Sequence, residues 1–420
     1  MKKLKIGLIG FGTVGVGVYK TLQNFEEIEV VKIAVKNINK PRSIELPNGI
    51  LTDNPYDIVN DENINVVVEL MGGVEPAWDY IKTAIENKKH IVTANKELLA
   101  KKGEELFNLS EKNNCVVLYE AAIAGGIPII MPIKTILAGN KIHKIQAILN
   151  GTTNYILTKM DTDGASYEEV LKEAQELGYA ETDPTGDVEG FDAAYKITTL
   201  ATIGFNSRVK FENVYREGIS KIRKEDMQQA NELGYKIKLI ASASIDENNN
   251  ADVRVHPMLV PKTKMLANIN YVTNAVEIKG SPIGDIVLSG AGAGEFPTAS
   301  SVVGDILAIA KEWGTTDYLL PMMRCHHHKT ANPVKIEDTY NKYYISITAP
   351  HAIGVIAKIG TICANKNVSL SSILQKGVST TDSTAEITVI TEKCFEKSMR
   401  EIVSELGDDC VINNIIRVME

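Results

Sequence analysis

Cysteine is scarce in this chain, with five residues in 420, at positions 115, 325, 363, 394 and 410. They are odd in number, scattered and form no CxxC pair, so a disulfide scaffold is excluded as the organising principle. Positive charge is also short. Lys and Arg total 45 against 53 Asp and Glu, a net charge of -8, and the basic footprint that nucleic-acid binding leaves is missing. No apolar stretch reaches the ~18 residues of a membrane span. The opening MKKLKIGLIGFG has the lysines and apolar run of a signal peptide, but a glycine-rich turn follows at once and no small-residue cleavage site fits. There is no GxSxG and no Cys–His nucleophile signature. The expectation is a reduced, cytoplasmic chain with neither nucleic acid nor membrane as partner.

What is present suits an ordinary globular protein. Hydrophobic residues make up 44% and charged residues 23%, enough for several cores, and the length predicts two to four domains at roughly 100–200 residues each. The first third alternates short apolar runs with helical patterns. LKIGLIG (4–10), VVKIAV (30–35), INVVVEL (64–70), HIVTA (90–94) and CVVLYE (115–120) read as buried strands. Helix-like stretches such as PAWDYIKTAIENK (76–88) separate them. Alternating βα units predict a parallel sheet covered on both faces.

The middle differs. KIHKIQAILNG (141–151) is strand-like, helices follow to about residue 203, and IKLIASASI (237–245) and ADVRVHPMLV (251–260) read as strands of an open α+β sheet. A glycine-rich turn is expected over SGAGAGEFPTAS (289–300), opening the helix VVGDILAIAKEW. Apolar periodicity stops over 321–342, read as a linker. The final segment has the order βαββαβ, the ferredoxin-like arrangement. One helix face there is Val355, Ile356, Ile359, Ile362 and Cys363; the other is Phe395, Met399, Ile402, Val403 and Leu406. The expected domains are therefore 1–135 (completed by 296–320), 136–295, a linker 321–342, and 343–420.

Chemistry enters with Gly10-Phe11-Gly12-Thr13-Val14-Gly15. This GxGxxG follows a strand and opens a helix. The first glycine permits the tight turn, the second lets the backbone approach a pyrophosphate, and the third allows close helix packing. The helix N-terminus then offers free N–H groups to phosphate. The second strand ends Ala34-Val35-Lys36-Asn37. It lacks the acid that usually binds the ribose hydroxyls of NAD, and Lys36 suits a 2′-phosphate, so NADP is favoured over NAD.

Thr93-Ala94-Asn95-Lys96 stands at the C-terminal end of a parallel strand, where α/β sheets bind ligands. A lysine opening a helix is electrostatically misplaced and implies an anion or substrate nearby. The stretch LGYAETDPTGDVEGFDAAYK (177–196) gathers Glu181, Asp183, Asp187, Glu189, Asp192 and Lys196. Asp187 is expected to cap the following helix. Asp192 and Lys196 are four apart, on one helix face. As a surface pair they would be worth only a few tenths of a kcal/mol, but their small and apolar neighbours Ala193, Ala194, Ile197 and Leu200 predict burial. Asn150-Gly151-Thr152-Thr153-Asn154 ends a strand and caps a helix. Glu120 to Ile127 bends out of the sheet, and its glycines could expose carbonyls to a ligand or cation. The histidines at 326–328 fall in the linker and are read as solvated. The other histidines, at 90, 143, 256 and 351, join no polar cluster, so the proton donor is not expected to be histidine.

The sequence resembles the homoserine dehydrogenases. GLIGFGTVG, VTANKELLA, AAIAGGIPII, LNGTTNYILTKM, EAQELGYAETDPTGDVEGFDAAYK and GAGAGEFPTAS stand in that family's order to about residue 320, and the segment from about 343 looks like an ACT domain. The fold implied is α/β: a Rossmann-type doubly wound parallel sheet, an α+β substrate and dimerisation domain, and a C-terminal ferredoxin-like ACT domain. The resemblance implies interconversion of aspartate semialdehyde and homoserine. Lys196 would be the general acid, Lys96 the second active-site lysine, and Asp192 the carboxylate holding the reacting end. Glu181 and Asp187 would bind the substrate's amino end, with Gly151 and Thr152 beside it, while Thr93, Lys96 and Gly292 join the glycine turn around the cofactor. It further implies a sodium-like cation at Glu120, Ile123, Gly125 and Ile127, mostly through backbone oxygens, a homodimer or higher homo-oligomer, and an amino-acid effector at the ACT domain. The turn Pro350-His351-Ala352-Ile353-Gly354 departs from the ACT pattern, with His351 for the usual Asp and Ile353 for the usual Pro. The glycine is retained, and the identity of the effector is left open.

Two other readings compete. An aldehyde-oxidising semialdehyde dehydrogenase needs a nucleophilic cysteine, yet Cys115 starts a buried strand and the next cysteine is Cys325. A non-catalytic amino-acid sensor with a degenerate nucleotide domain would have no need to keep Lys96, Glu181, Asp192 and Lys196 together.

Overall fold

The computed structural model describes residues 3–313, 323–325, 327–379, 383–407 and 410–420. Six parallel strands form the first sheet, in the order Leu51–Thr52, Ile28–Ala34, Leu4–Ile9, Val66–Glu69, His90–Thr93 and Val117–Leu118. Every residue of Val66–Glu69 and His90–Thr93 is buried, because helices cover both faces. That burial explains their unbroken apolar runs. The strand order reverses beside Leu4–Ile9, which makes the carboxyl ends of the neighbouring strands a ligand-binding crevice. The two-residue strand Leu51–Thr52 is too short to leave a sequence pattern. Helix Glu295–Glu312 returns to pack on helix Thr13–Leu22. The two approach so closely at Gly17 that a Cβ there would lie 2.6 Å from the Glu295 carbonyl.

The second sheet is mixed. Its strands run Gly284–Ala291, Thr273–Ser281, Lys141–Ile148, Tyr235–Ile245 and Asn250–Pro261, then continue through Val411–Val418, Tyr340–Pro350, Thr384–Thr391 and Leu370–Ser379. Helix Phe191–Phe205 lies across Lys141–Ile148, Tyr235–Ile245 and Asn250–Pro261. The last four strands, with helices Val355–Asn365 and Glu396–Leu406, form the expected βαββαβ unit. Its core is Tyr343, Ile345, Ile347, Ile359, Met399 and Ile402. The unit does not stand apart. Met258 pairs with Arg417 and Leu259 with Val418 in parallel, joining the unit's strands edge to edge to strand Asn250–Pro261 within one continuous sheet.

Four expectations require correction. The glycine-rich turn is confined to 292–294, since Ser289–Ala291 complete a strand and the helix begins at Glu295. The pairing of Thr273–Ser281 with Gly284–Ala291 draws these residues into the sheet. The supposed linker is held along much of its described length: Asn332–Pro333 pairs with the start of strand Asn250–Pro261, and strand Tyr340–Pro350 starts inside the span. His327 is buried, not solvated, with Nδ1 3.1 Å from Asn206 Oδ1; His328 is exposed and His326 lies outside the described residues. Finally, Asp187 does not cap helix Phe191–Phe205. Gly190, at φ +79°, takes that position, and Asp187 sits inside the short helix Thr185–Val188.

Candidate active site

The nucleotide turn begins where strand Leu4–Ile9 ends. Gly10 has φ +102°, and a Cβ there would meet the Leu70 carbonyl at 2.8 Å, so glycine is required. Gly15 packs against the Gly10 carbonyl, where a Cβ would come within 2.6 Å. Gly12 is different. A Cβ there would meet nothing within 4 Å, and the helix it caps starts with no side-chain cap. Open space over the free N–H groups of a ten-residue helix is what a pyrophosphate needs. Thr13 is exposed beside Gly12, while Phe11 and Val14 are half-buried. Gly10 N–H donates to Ala34 O at 3.0 Å, tying the turn to the second strand, two residues before the exposed Lys36.

A buried network shapes the facing wall. Glu69 ends strand Val66–Glu69, fully buried. Its carboxylate accepts from Thr93 Oγ1 at 2.7 Å, Met71 N at 2.7 Å and Gly72 N at 3.2 Å. Burial raises its pKa, against the lowering effect of those hydrogen bonds. Asn95 donates from Nδ2 to Gly73 O at 2.6 Å, and its Oδ1 caps helix Lys96–Lys112 by accepting from Leu98 N. Glu69 and Asn95 had no assigned role in the sequence. The available signal was a carboxylate closing an otherwise apolar strand.

The polar centre is built by two helix starts. Lys96 is the first residue of helix Lys96–Lys112, and Asp192 lies in the first turn of helix Phe191–Phe205, with Lys196 one turn on. Asp192 Oδ1 is 2.5 Å from Lys96 Nζ, and Oδ2 is 2.7 Å from Lys196 Nζ. Lys196 Nζ also donates to Leu149 O at 2.7 Å. Asp192 and Lys196 are buried, at 6% and 8% exposure, while the Lys96 side chain is 44% exposed. The misplaced helix-opening lysine is thus neutralised from the other domain.

Asn150 links this pair to the short helix Thr185–Val188 that carries Asp187. Its Nδ2 donates to Asp187 Oδ1 at 2.7 Å and Asp192 Oδ2 at 3.0 Å, while Oδ1 caps helix Gly151–Asp163 by accepting from Thr153 N at 2.8 Å. Gly151 lets that helix start against the Val272 carbonyl, 3.1 Å from where a Cβ would lie. Thr152 Oγ1 donates to Tyr179 O. Glu181 is exposed at the rim.

Burial is the largest influence on all three core charges. It lowers the pKa of Lys196, and Lys96 adds to the lowering while Asp192 opposes it. Desolvation also pulls Lys96 down, but the charge and hydrogen bond of Asp192, joined by the charges of Asp187 and Glu181, together outweigh it and the net shift is upward. For Asp192 the two lysines overcome desolvation and hold the carboxyl well below the usual range. Asp187 is raised, by burial first and then by the charge of Asp192. A lysine with lowered pKa beside one kept charged separates proton exchange from electrostatic support.

The Glu120 loop is committed differently. The Glu120 carboxylate accepts the backbone N–H groups of Ile129, Ile130 and Met131 at 2.5–2.7 Å. Gly125, at φ +59°, abuts Gly292, and its carbonyl accepts from Ser301 Oγ. Ile123 and Ile127 are buried in the same bend. Gly292 lies against Asn274 as well. Among the described residues no cluster of three or more His, Cys, Asp or Glu side chains could hold a metal, so any cation here would rest on main-chain carbonyls. Cys115 is buried and its thiol pushed up to about 11 by desolvation, the reverse of an activated nucleophile.

A doubly wound sheet with an open glycine turn, facing a Lys–Asp–Lys centre whose Asp192 and Lys196 are buried, defines the class: an oxidoreductase that moves hydride between a nicotinamide dinucleotide and a small polar substrate. Comparison with known proteins narrows it. Residues 128–307 match the family model for homoserine dehydrogenase, and residues 10–120 match that for the homoserine dehydrogenase NAD-binding domain. The chain is 43% identical to the homoserine dehydrogenase of Synechocystis sp., over 99% of each chain, and 39% identical to that of Bacillus subtilis, over 99% of this chain and 97% of the other. A solved homoserine dehydrogenase from Thiobacillus denitrificans superposes with a TM-score of 0.93 at 38% identity, covering 100% of this chain and 99% of that one. A hyperthermophilic archaeal homoserine dehydrogenase in complex with NADPH matches with a TM-score of 0.63 at 27% identity, over 74% of this chain and 98% of that one. The chain belongs to the homoserine dehydrogenase family. It is an NAD(P)-dependent oxidoreductase of amino-acid biosynthesis, interconverting L-aspartate 4-semialdehyde and L-homoserine.

Proposed function

We propose that Lys196 is the proton-transfer residue of this reaction, and the observation that carries it is the single carboxylate of Asp192 shared by Lys96 and Lys196. Bound nicotinamide would supply the hydride acceptor for homoserine and the hydride donor for the aldehyde. Lys196, neutral, takes the hydroxyl proton as the carbon–oxygen bond becomes a carbonyl; in reduction, protonated Lys196 gives that proton to the developing alkoxide. An ammonium has three donors. Leu149 O and Asp192 take two, which leaves one for the substrate oxygen. Lys96 remains charged and supports the developing oxyanion. Asp187 and Glu181 receive the substrate ammonium, the first backbone groups of helix Gly151–Asp163 with Thr152 receive its carboxylate, and Asn150 positions Asp187 against Asp192.

The residues that would hold the cofactor are Gly10 to Gly15 with Thr93, Lys96 and Gly292. Lys36, exposed past the second strand, favours NADP over NAD, in line with the NADPH held by the archaeal relative. Glu120, Ile123, Gly125 and Ile127 would hold a sodium-like cation, mostly through main-chain carbonyls. The domains divide as 1–135 with 296–320, 136–295, and an ACT domain from about 343. The middle domain dimerises, a reading favoured by its edge strand Gly284–Ala291, flanked by exposed Ile283 and Phe296, since open edges seek partners. The ACT domain takes an amino-acid effector; its turn keeps Gly354 at φ +91°. The enzyme works in the cytoplasm.

The test is the initial rate of nicotinamide reduction with homoserine, NAD and NADP in parallel, sodium and potassium varied. Faster turnover with NADP, lost in Lys196→Ala, supports these assignments. Equal rates with NAD remove the role of Lys36, and near-wild-type turnover in Lys196→Ala removes lysine as proton donor.

A further inference from the structure

Glu69 is the last residue of strand Val66–Glu69 and is fully buried. Three neutral groups donate to its carboxylate: Met71 N–H at 2.7 Å and Gly72 N–H at 3.2 Å on Oε1, and Thr93 Oγ1 at 2.7 Å on Oε2. A carboxylate taken out of water and met by neutral dipoles is costly, and burial pushes its pKa upward. An apolar residue in its place would serve stability at least as well. The charge at the end of this otherwise apolar strand therefore calls for another reason.

Its contacts close a ring. Thr93 Oγ1 accepts from Asn95 N–H at 3.0 Å, Asn95 Nδ2 donates to Gly73 O at 2.6 Å, and the neighbouring Gly72 returns to Glu69. The ring joins the carboxyl ends of the paired strands Val66–Glu69 and His90–Thr93, in the crevice where such sheets bind ligands. One side of it faces the nucleotide turn. The Leu70 carbonyl and the Met71 nitrogen line Gly10, at 2.8 and 3.2 Å from where a Cβ would stand. Gly72, at φ +79°, faces open space, since a Cβ there would meet nothing within 4 Å, and the Met71 side chain is exposed. The other side carries a helix start. Asn95 Oδ1 accepts from Leu98 N–H at 3.1 Å, and the residue after Asn95 is Lys96, which reaches Asp192.

We propose that Glu69 is a positioning residue of the reaction: one oxygen clamps the 71–73 loop at the cofactor crevice, and the other, through Thr93 and Asn95, fixes the helix start that aims Lys96. This role rests on Lys96 supporting the oxyanion and on the glycine turn holding the cofactor. An ionised carboxylate accepts at both oxygens, whereas an amide has one. Glutamine at this position keeps the shape and an oxygen for Met71 and Gly72. It turns an NH2 toward Thr93 Oγ1, which already accepts from Asn95, and the Thr93 hydroxyl proton loses its acceptor. The link toward Lys96 is then the one that loosens. Displacing a catalytic group by about 1 Å can cost about 10²-fold in rate, so the change shows in kcat.

The experiment uses the full chain, with homoserine kinetics, fluorescence titrations with NADPH and NADH, and thermal melts. Glu69→Gln is expected to melt no lower than the parent and to bind cofactor nearly as the parent does, yet to lose about tenfold or more in kcat. Glu69→Ala frees the loop as well and should also weaken cofactor binding by about tenfold or more. Lys96→Met completes a double-mutant cycle. Adding Glu69→Gln to it should cause little further loss in kcat, because both changes act through one group. A merely structural Glu69 would lower the melting temperature and give additive losses. Parent kcat in Glu69→Gln, or additive losses in the cycle, overturns the link to Lys96, and parent-like cofactor binding in folded Glu69→Ala overturns the clamp on the loop. Should Glu69→Ala fail to fold, Glu69→Gln and the cycle decide. Parent kcat in Lys96→Met instead overturns the assignment of Lys96, and this role with it, whatever Glu69→Gln does.

Discussion

Asp192 holds Lys196 at 2.7 Å through one oxygen and Lys96 at 2.5 Å through the other. The first contact is local to one helix; the second crosses between the two layers of the catalytic part. One carboxylate thereby opposes the burial of both lysines and ties helix Lys96–Lys112 to helix Phe191–Phe205.

Lys196→Ala should fold and bind cofactor as the parent does but lose about 10²–10⁴-fold in kcat, the usual contribution of a positioned acid–base group. Steady-state kinetics with a separate cofactor titration checks both halves.

Asp192→Ala leaves a buried ammonium without its counter-charge. Removing one member of a buried pair costs about 3–5 kcal/mol, and most of the loss should come from Lys196, since Lys96 reaches solvent. Urea denaturation measures it. A variant as stable as the parent would mean that Lys196 is neutral in the folded protein.

The pH dependence follows from the directions of the shifts. Lys196 is lowered by burial from an ordinary value near ~10.4. Reduction of the aldehyde needs it protonated and should decline as pH rises through the lowered pKa; oxidation of homoserine needs it neutral and should rise over the same interval. For stability, the folded state holds fewer protons than the unfolded one between the lowered pKa and ~10.4, so this group favours folding increasingly as pH climbs through that window. Asp192, depressed by its lysines, contributes stability present above the ordinary value near ~3.9 and lost as pH falls toward its folded pKa. Rate profiles in both directions test the assignment.

Gly12→Ala and Gly10→Ala should separate binding from folding. The first adds a methyl group to open space and should leave the melting temperature unchanged while weakening cofactor binding about tenfold or more. The second forces a side chain to φ +102° against the Leu70 carbonyl and should cost about 1–3 kcal/mol of stability. Thermal melts with and without cofactor distinguish them.

Arg417→Met should loosen the C-terminal unit. Arg417 is buried between Glu396, at 2.7 Å, and Glu217, at 3.0 Å. Its removal strips two carboxylates of the guanidinium they share, a loss of about 3–5 kcal/mol. Limited proteolysis should release the segment after residue 340 earlier than in the parent.

Local patterns made much of this protein readable before any fold was known. The alternation of apolar runs and helical stretches marked the parallel sheet, and glycine spacing marked the turn at Gly10 to Gly15. A separation of four residues placed Asp192 and Lys196 on one helix face, and their apolar neighbours marked that face as buried. The βαββαβ order of the last segment was also legible, since each of its elements buries a regular stripe. All these are properties of neighbours in the chain, determined by backbone geometry and side-chain period. Tertiary structure alone decided the rest. Lys96 meets Asp192, and Asn150 spans Asp187 and Asp192, because two layers pack there. Asn332–Pro333 is paired because the start of strand Asn250–Pro261 lay within reach, and His327 is buried against Asn206. The C-terminal unit fuses to the catalytic sheet through Met258 and Leu259. Contacts of this kind join segments with no shared local period, and they are chosen by which buried charges and open edges can satisfy one another once the chain has collapsed.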